Sequence, residues 1–119
     1  SFRGLIAWQK AIEMVDTAYK LTREFPREEL FGLRSQMRRS AVSVPSNIAE
    51  GYGRRRLAEY LRFLDIARGS LCELQTQCII SHRQGFLDCR EVELLEDIMD
   101  QVGKLLYRLT ESLNKKSPR

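Results

Sequence analysis

The sequence predicts an all-α protein: an antiparallel up-down four-helix bundle whose second helix is kinked at Pro45. Three observations carry this expectation. Four segments repeat their apolar residues three and four positions apart, which is the spacing of one helix face. No segment alternates apolar and polar residues as a half-buried strand does. Turn and cap residues fall between the segments, and 119 residues make one ordinary domain.

The first segment carries Leu5, Trp8, Ile12, Val15 and Tyr19, with Leu21 off the strict step. Pro26 then stops it. Leu33, Met37, Ala41, Val44 and Ile48 form the second. Pro45 lies inside that run. It has no N–H and its ring meets the carbonyl of Ala41, while Val44 before it is pushed from helical angles. The helix therefore either kinks or breaks and restarts. Ser43, Ser46 and Asn47 offer side-chain bonds to the freed backbone groups. Asn47 with Glu50 has the capping spacing that a restart would use. Gly51 and Gly53 are expected to end the helix and to allow left-handed angles.

Leu57, Leu61, Leu64, Ala67, Leu71, Leu74 and Cys78 mark a third helix running to about Arg83. At 1.5 Å per residue it would be about 40 Å long, so it needs partners along its whole length. Gly85 reads as the glycine just past its end. Asp88, with Glu91 three residues on, is a capping-box start for the fourth helix. That helix carries Val92, Leu95, Met99, Val102, Leu106, Leu109 and Leu113. The connection from Gln84 to Leu87 is short, which makes the helices it joins antiparallel neighbours. One domain is expected over residues 1–113, followed by a polar tail, residues 114–119, that frays.

Composition narrows the function classes. Apolar residues make up 43% of the chain and mean hydropathy is −0.38, which suits a globular rather than a disordered protein. No apolar run nears the ~20 residues of a membrane span. No secretory leader pattern precedes the first helix, and the three cysteines are odd in number without a CxxC. Both suggest a reduced, cytoplasmic chain. Cys72, Cys78 and Cys89 are expected to be small core residues, since zinc would need four well-spaced ligands. His82 is the only histidine and would sit well at a helix C-terminus. No glycine-rich phosphate cradle occurs. Glu50 beside Ser46 and Asn47 is the best acid–base candidate, but it has no histidine or metal set near it in sequence. The expectation is no metal, no cofactor and no enzymatic activity. Trp8, Tyr19, Tyr60 and Phe63 read as core or interface residues.

Charge points elsewhere. Net charge is +4. Residues 33–56 hold six arginines and one acid, or +5, so the rest of the chain is nearly neutral. Arg34, Arg38, Arg39, Arg54, Arg55 and Arg56 are thus the candidate contacts to a polyanion. Arg34 and Arg38 share a helix face, with Arg39 about 100° away. The competing reading pairs these three internally with Glu50, Glu59 or Glu73. Arg54 to Arg56 follow one helix and open the next, so their effects on the two helix dipoles partly cancel. Either they contact a polyanion or they form an ordinary solvated corner.

The run from Ser35 to Arg54, SQMRRSAVSVPSNIAEGYGR, resembles the signature of bacterial four-helix-bundle proteins encoded in ribosomal-RNA intervening sequences. Phe2-Arg3, Leu5, Trp8 to Ala11, Arg62 to Leu64, Ile66-Ala67, Gly69 to Leu71 and Glu73 to Gln77 resemble it too. Gly4 departs from the polar helix starter expected there and weakens the cap of the first helix. The resemblance implies a homo-oligomeric ring, a homopentamer. It also implies kinship with the accessory protein of diversity-generating retroelements, a basic pentameric barrel that works with a reverse transcriptase and its RNA. The expected function is therefore non-enzymatic binding of nucleic acid, RNA before DNA, with a nucleic-acid-processing protein as a further partner. The alternative is a protein-interaction scaffold or accessory subunit whose arginines are structural ion pairs.

Overall fold

Each periodic segment becomes one helix: α1 over Ile6–Thr22, α2 over Leu33–Tyr52, α3 over Leu57–Arg83 and α4 over Cys89–Asn114. The structure, a computed structural model, describes residues 1–116. The helices form a bundle of 49 × 24 × 23 Å. α2 packs on α1 and α3, α4 packs on the same two, and the α2 and α4 backbones stay apart. They are therefore diagonal partners. Side-chain contacts show the directions. Ser81, near the end of α3, bonds Met37 near the start of α2 across 3.3 Å. Further along, the Ser43 and Ser70 hydroxyls meet at 2.7 Å. The start of α2 thus lies beside the end of α3.

Most of the expected core holds in three helices, while Leu33, Leu57, Leu61, Val92, Leu109 and Leu113, towards the helix ends, are only partly buried. Met37, Ala41, Val44 and Ile48 of α2 are buried, as are Leu64, Ala67, Leu71, Leu74 and Cys78 of α3. So are Leu95, Met99, Val102 and Leu106 of α4. In α1 the expectation needs correction. Its innermost seam is Ala7, Ala11, Met14, Ala18 and Leu21. The larger Trp8, Ile12 and Val15 lie on its flank, half-buried, with Trp8 and Val15 packed against the core, and Tyr19 is 37% exposed. Small side chains let α1 approach two neighbours closely, so bulk moved outward. Two core residues lie outside any helical pattern. Phe25 and Leu87, from the two connections at one end of the bundle, are buried. Phe25 packs on Phe86 with ring centroids 5.6 Å apart.

Pro45 does not interrupt α2, so the break-and-restart outcome is excluded. No restart means no cap at Asn47. Its side chain instead donates to the Ser43 carbonyl at 2.8 Å and to Ser43 Oγ at 2.9 Å, bracing the turn around the proline. The glycines also act differently from expectation. Gly53 ends α2 at φ −76°, within the ordinary right-handed region. Gly51 is buried inside the helix, where an added Cβ would lie 2.9 Å from Phe63 Cβ and 3.1 Å from the Tyr60 carbonyl. It is needed for close approach to α3, not for its angles.

The other boundary signals match the structure. Gly85 has φ +82°, its N–H meets the His82 carbonyl, and the Phe86 N–H meets that of Ser81. Those two bonds make the Schellman pattern that ends α3. His82 also bonds the Leu87 carbonyl through Nδ1 at 2.9 Å, pinning the turn. Asp88 and Glu91 form the reciprocal capping box that starts α4. α1 has no side-chain cap. A 3₁₀ turn over Phe2–Gly4 precedes it instead, held by Gln9 Nε2 on the Arg3 carbonyl at 2.8 Å. Asn114 still belongs to α4, and residues 117–119 of the expected tail lie outside the described residues.

Only Cys78 of the three cysteines is a core residue; Cys72 and Cys89 are exposed. Burial first, then Glu96, pushes the Cys78 thiol from 9.0 up to about 11. Stability from keeping it neutral is complete below pH 9.0 and is lost as pH rises through about 11. At pH 8 a disulfide-exchange reagent should titrate two thiols in the folded protein and the third only after denaturation; three equal rates would contradict this burial. Gly51→Ala should cost about 1–3 kcal/mol by forcing α2 from α3, read as a lower denaturation midpoint, whereas Gly69→Ala, in open space, should not destabilise.

Candidate nucleic-acid interface

The six candidate arginines fall into two groups, not one patch. Arg34, Arg38 and Arg39 occupy the first turns of α2. Arg54, Arg55 and Arg56 form the corner between α2 and α3. The rise of the intervening helix separates the groups by on the order of 25 Å. The sequence places both in one short run, but a helix converts that run into length.

The first group lines an open cleft of about 650 Å³ with Tyr19, Leu30, Phe31 and Val42. Arg38 is built into the fold. Its Nε donates to Thr22 Oγ1 at 2.9 Å, its Nη2 donates to the Tyr19 carbonyl at 3.2 Å, and its head stacks on the Tyr19 ring at 4.4 Å. It thereby closes the C-terminal turn of α1, where free carbonyls and the dipole favour a cation. Burial, then the nearby Arg34, holds its pKa below the usual arginine value, with Arg23 adding to the effect. Arg34 Nε is buried without a hydrogen-bond partner among the described residues. Arg39 is exposed. None of these three meets a carboxylate among the described residues, so the expected pairing with Glu50, Glu59 or Glu73 does not form within the chain.

The corner group is more open. Arg54 pairs with Glu50 at 2.8 Å, one helical turn back, with both side chains about half exposed. That engages the carboxylate considered for acid–base work. Arg62 pairs with Glu59 at 3.0 Å. The heads of Arg54 and Arg62 lie 4.8 and 4.6 Å from the centre of the Phe63 ring. The Arg62 bond first of all holds the Glu59 carboxyl below its usual value, and the fields of Arg54 and Arg56 act in the same direction. Arg55 and Arg56 are exposed and form no ion pair among the described residues. Arg56 is the N-cap residue of α3, where the helix dipole opposes a cation.

Sequence reasoning missed three members of these groups. Arg23 joins the first because the bundle brings the end of α1 beside α2. Arg62 joins the second, and its i, i+3 spacing to Glu59 was the available signal. Phe31 is the third. It lies outside any periodic run and is 90% exposed, so nothing local marks it. Among the described residues no group of His, Cys, Asp and Glu is placed to hold a metal ion.

Removal of the Arg38 head should open the end of α1. Arg38→Ala should lose about 1–3 kcal/mol, and Arg38→Lys should recover little, because an ammonium lacks the planar fork that serves both oxygens and stacks on Tyr19. Arg39→Ala should change the denaturation midpoint hardly at all; equal losses at both positions would contradict the clamp.

The fold is similar to one solved by crystallography, a protein of unknown function from the S23 ribosomal protein family of Bacteroides thetaiotaomicron. The TM-score is 0.82 at 20% identity, over 89% of this chain and 96% of that one. No curated protein matches the chain. A family model described as 23S rRNA-intervening sequence protein matches residues 3–108. That span runs from the turn before α1 well into α4 and takes in both arginine groups, so the chain belongs to the family of 23S rRNA-intervening sequence proteins.

Proposed function

We propose that this protein is a non-enzymatic, oligomeric RNA-binding protein that holds phosphates with the arginines of the α2–α3 corner. One observation carries the reading: Arg55 and Arg56 are exposed, lack an acidic partner among the described residues, and flank a helix start that gains nothing from them. Their charge is available to something outside the fold. RNA is preferred over DNA because the family takes its description from an rRNA intervening sequence. Each corner offers only a few phosphate contacts. Repetition around a homopentameric ring, which the sequence resemblance implies, would let weak contacts act together.

A second reading has its own support. Phe31, Leu30, Tyr19 and Val42 leave apolar surface open around the first arginine group. This is the composition of a protein contact rather than of a phosphate track. An accessory role beside a nucleic-acid-processing protein would use that face and leave the corner free.

Binding of a single-stranded RNA should weaken with salt, log K falling by about 0.7 per phosphate contact for each unit of log salt. Arg54, Arg55 and Arg56 changed together to glutamine should flatten that slope by about 2 units, with the melting midpoint nearly unchanged because the lost Glu50 pair is exposed. A slope that is flat in the parent protein, or unaltered in the variant, would remove the corner as the contact.

A further inference from the structure

We propose that the cleft around Phe31 is a socket for the acidic outer face of α4 from a second copy of this chain, so that subunits join head to tail. This rests on the homo-oligomeric part of the reading above and names the two surfaces that would meet. The socket has three properties. Phe31 stands 90% exposed at its rim. Arg34 carries a buried Nε with no acceptor among the described residues. Arg34 and Arg39 have no carboxylate partner within the described chain. An occupant must therefore bring acceptors, negative charge and some apolar surface.

The chain itself carries such a surface. Residues 91–101 contain five acids and no base. Glu91 is spent in the capping box. Glu93, Asp97 and Asp100 are exposed on one side of α4, at the i, i+4 and i+7 positions of a single face. Glu96 is exposed beside them. None of the four forms an ion pair among the described residues, and Asp97 accepts only from Gln101. Leu94, 53% exposed, lies about 100° round the helix from Glu93 and adds apolar surface on the flank of this face.

Placement decides the mode of association. α2 and α4 are diagonal, so their outer faces look away from each other across the bundle. One molecule cannot satisfy its own socket. The connection into α2 and the connection into α4 share one end of the bundle, where Phe25 packs on Phe86. Socket and acidic face thus lie towards the same end of the bundle, the socket over the α1–α2 groove and the acidic face on α4. A two-fold contact of socket on socket would bring arginine against arginine. Acid against socket avoids this and leaves each subunit with one of each surface still open. Such a heterologous contact repeats from subunit to subunit and makes a ring where the rotation between successive subunits closes.

The test is charge reversal on the full chain, with mass read by light scattering and folding by circular dichroism. Arg34→Glu with Arg39→Glu should reduce the oligomer to a folded subunit of 13.9 kDa. So should Glu93→Lys, Asp97→Lys and Asp100→Lys together. Both sets placed in one chain should restore the oligomer, because the complementarity is inverted and not lost; Arg38 stays untouched because it holds α1. Phe31→Ser alone should shift the parent oligomer towards the subunit on dilution. Either reversed variant keeping its oligomeric mass would overturn the proposal while leaving the oligomer reading intact. Failure of the combined set to reassemble would overturn it too. A parent protein that is already a single subunit would overturn both. If the Arg34/Arg39 variant keeps its mass but loses RNA binding, the cleft is a phosphate site and the socket is refuted.

Discussion

The close approach of α2 to α3 is the constraint on which the rest of the bundle depends. It is made by small residues. Gly51 leaves no room for a Cβ against Phe63 and Tyr60. Ser43 and Ser70 touch through their hydroxyls at 2.7 Å, and Ala41 and Ala67 are fully buried. A seam of this kind brings backbones together, and pairing of the Ser43 and Ser70 hydroxyls limits the cost of their own desolvation. It also settles which side of α2 faces inward. Pro45, Asn47 and the arginines then take the positions left to them.

That constraint explains why a proline is tolerated inside α2. Pro45 removes one hydrogen bond from the helix ladder. Packing on α3 continues on both sides of it, from the Met37–Ser81 contact to Gly51 against Phe63. Asn47 ties the adjacent turn to Ser43. The helix is held by its neighbour across the weak point, so it has no reason to end there.

The arginine groups differ in the same physical terms. Arg38 has found oxygens and an aromatic face within its own subunit, and its charge serves α1. Arg54 has a carboxylate one turn away. Arg55 and Arg56 form no ion pair among the described residues. A concentration of six arginines therefore breaks into residues that hold the fold, residues that are compensated, and residues left available. Equal contributions from all six to one surface are not what the geometry supports. The acids show a parallel sorting. Glu50, Glu59 and Glu91 are engaged locally, while Glu93, Asp97 and Asp100 remain open on α4.

Much of the architecture was legible before any coordinates. The periodic runs in α2, α3 and α4, the Gly85 stop and the Asp88–Glu91 start all depend on residues within a few positions of one another, and such short-range rules survive into the fold. The sequence alone also determined that positive charge is concentrated near α2. Tertiary structure decided what lies beyond that reach. It chose alanines over Trp8 and Ile12 for the inner face of α1, because close packing rewards fit between helices and not bulk alone. It drew Phe25 and Leu87 into the core from segments with no periodicity. It also separated one arginine run into two sites and set an acidic face on a helix that is not packed on α2, since helix length and diagonal packing are relations between elements that no local pattern of residues contains.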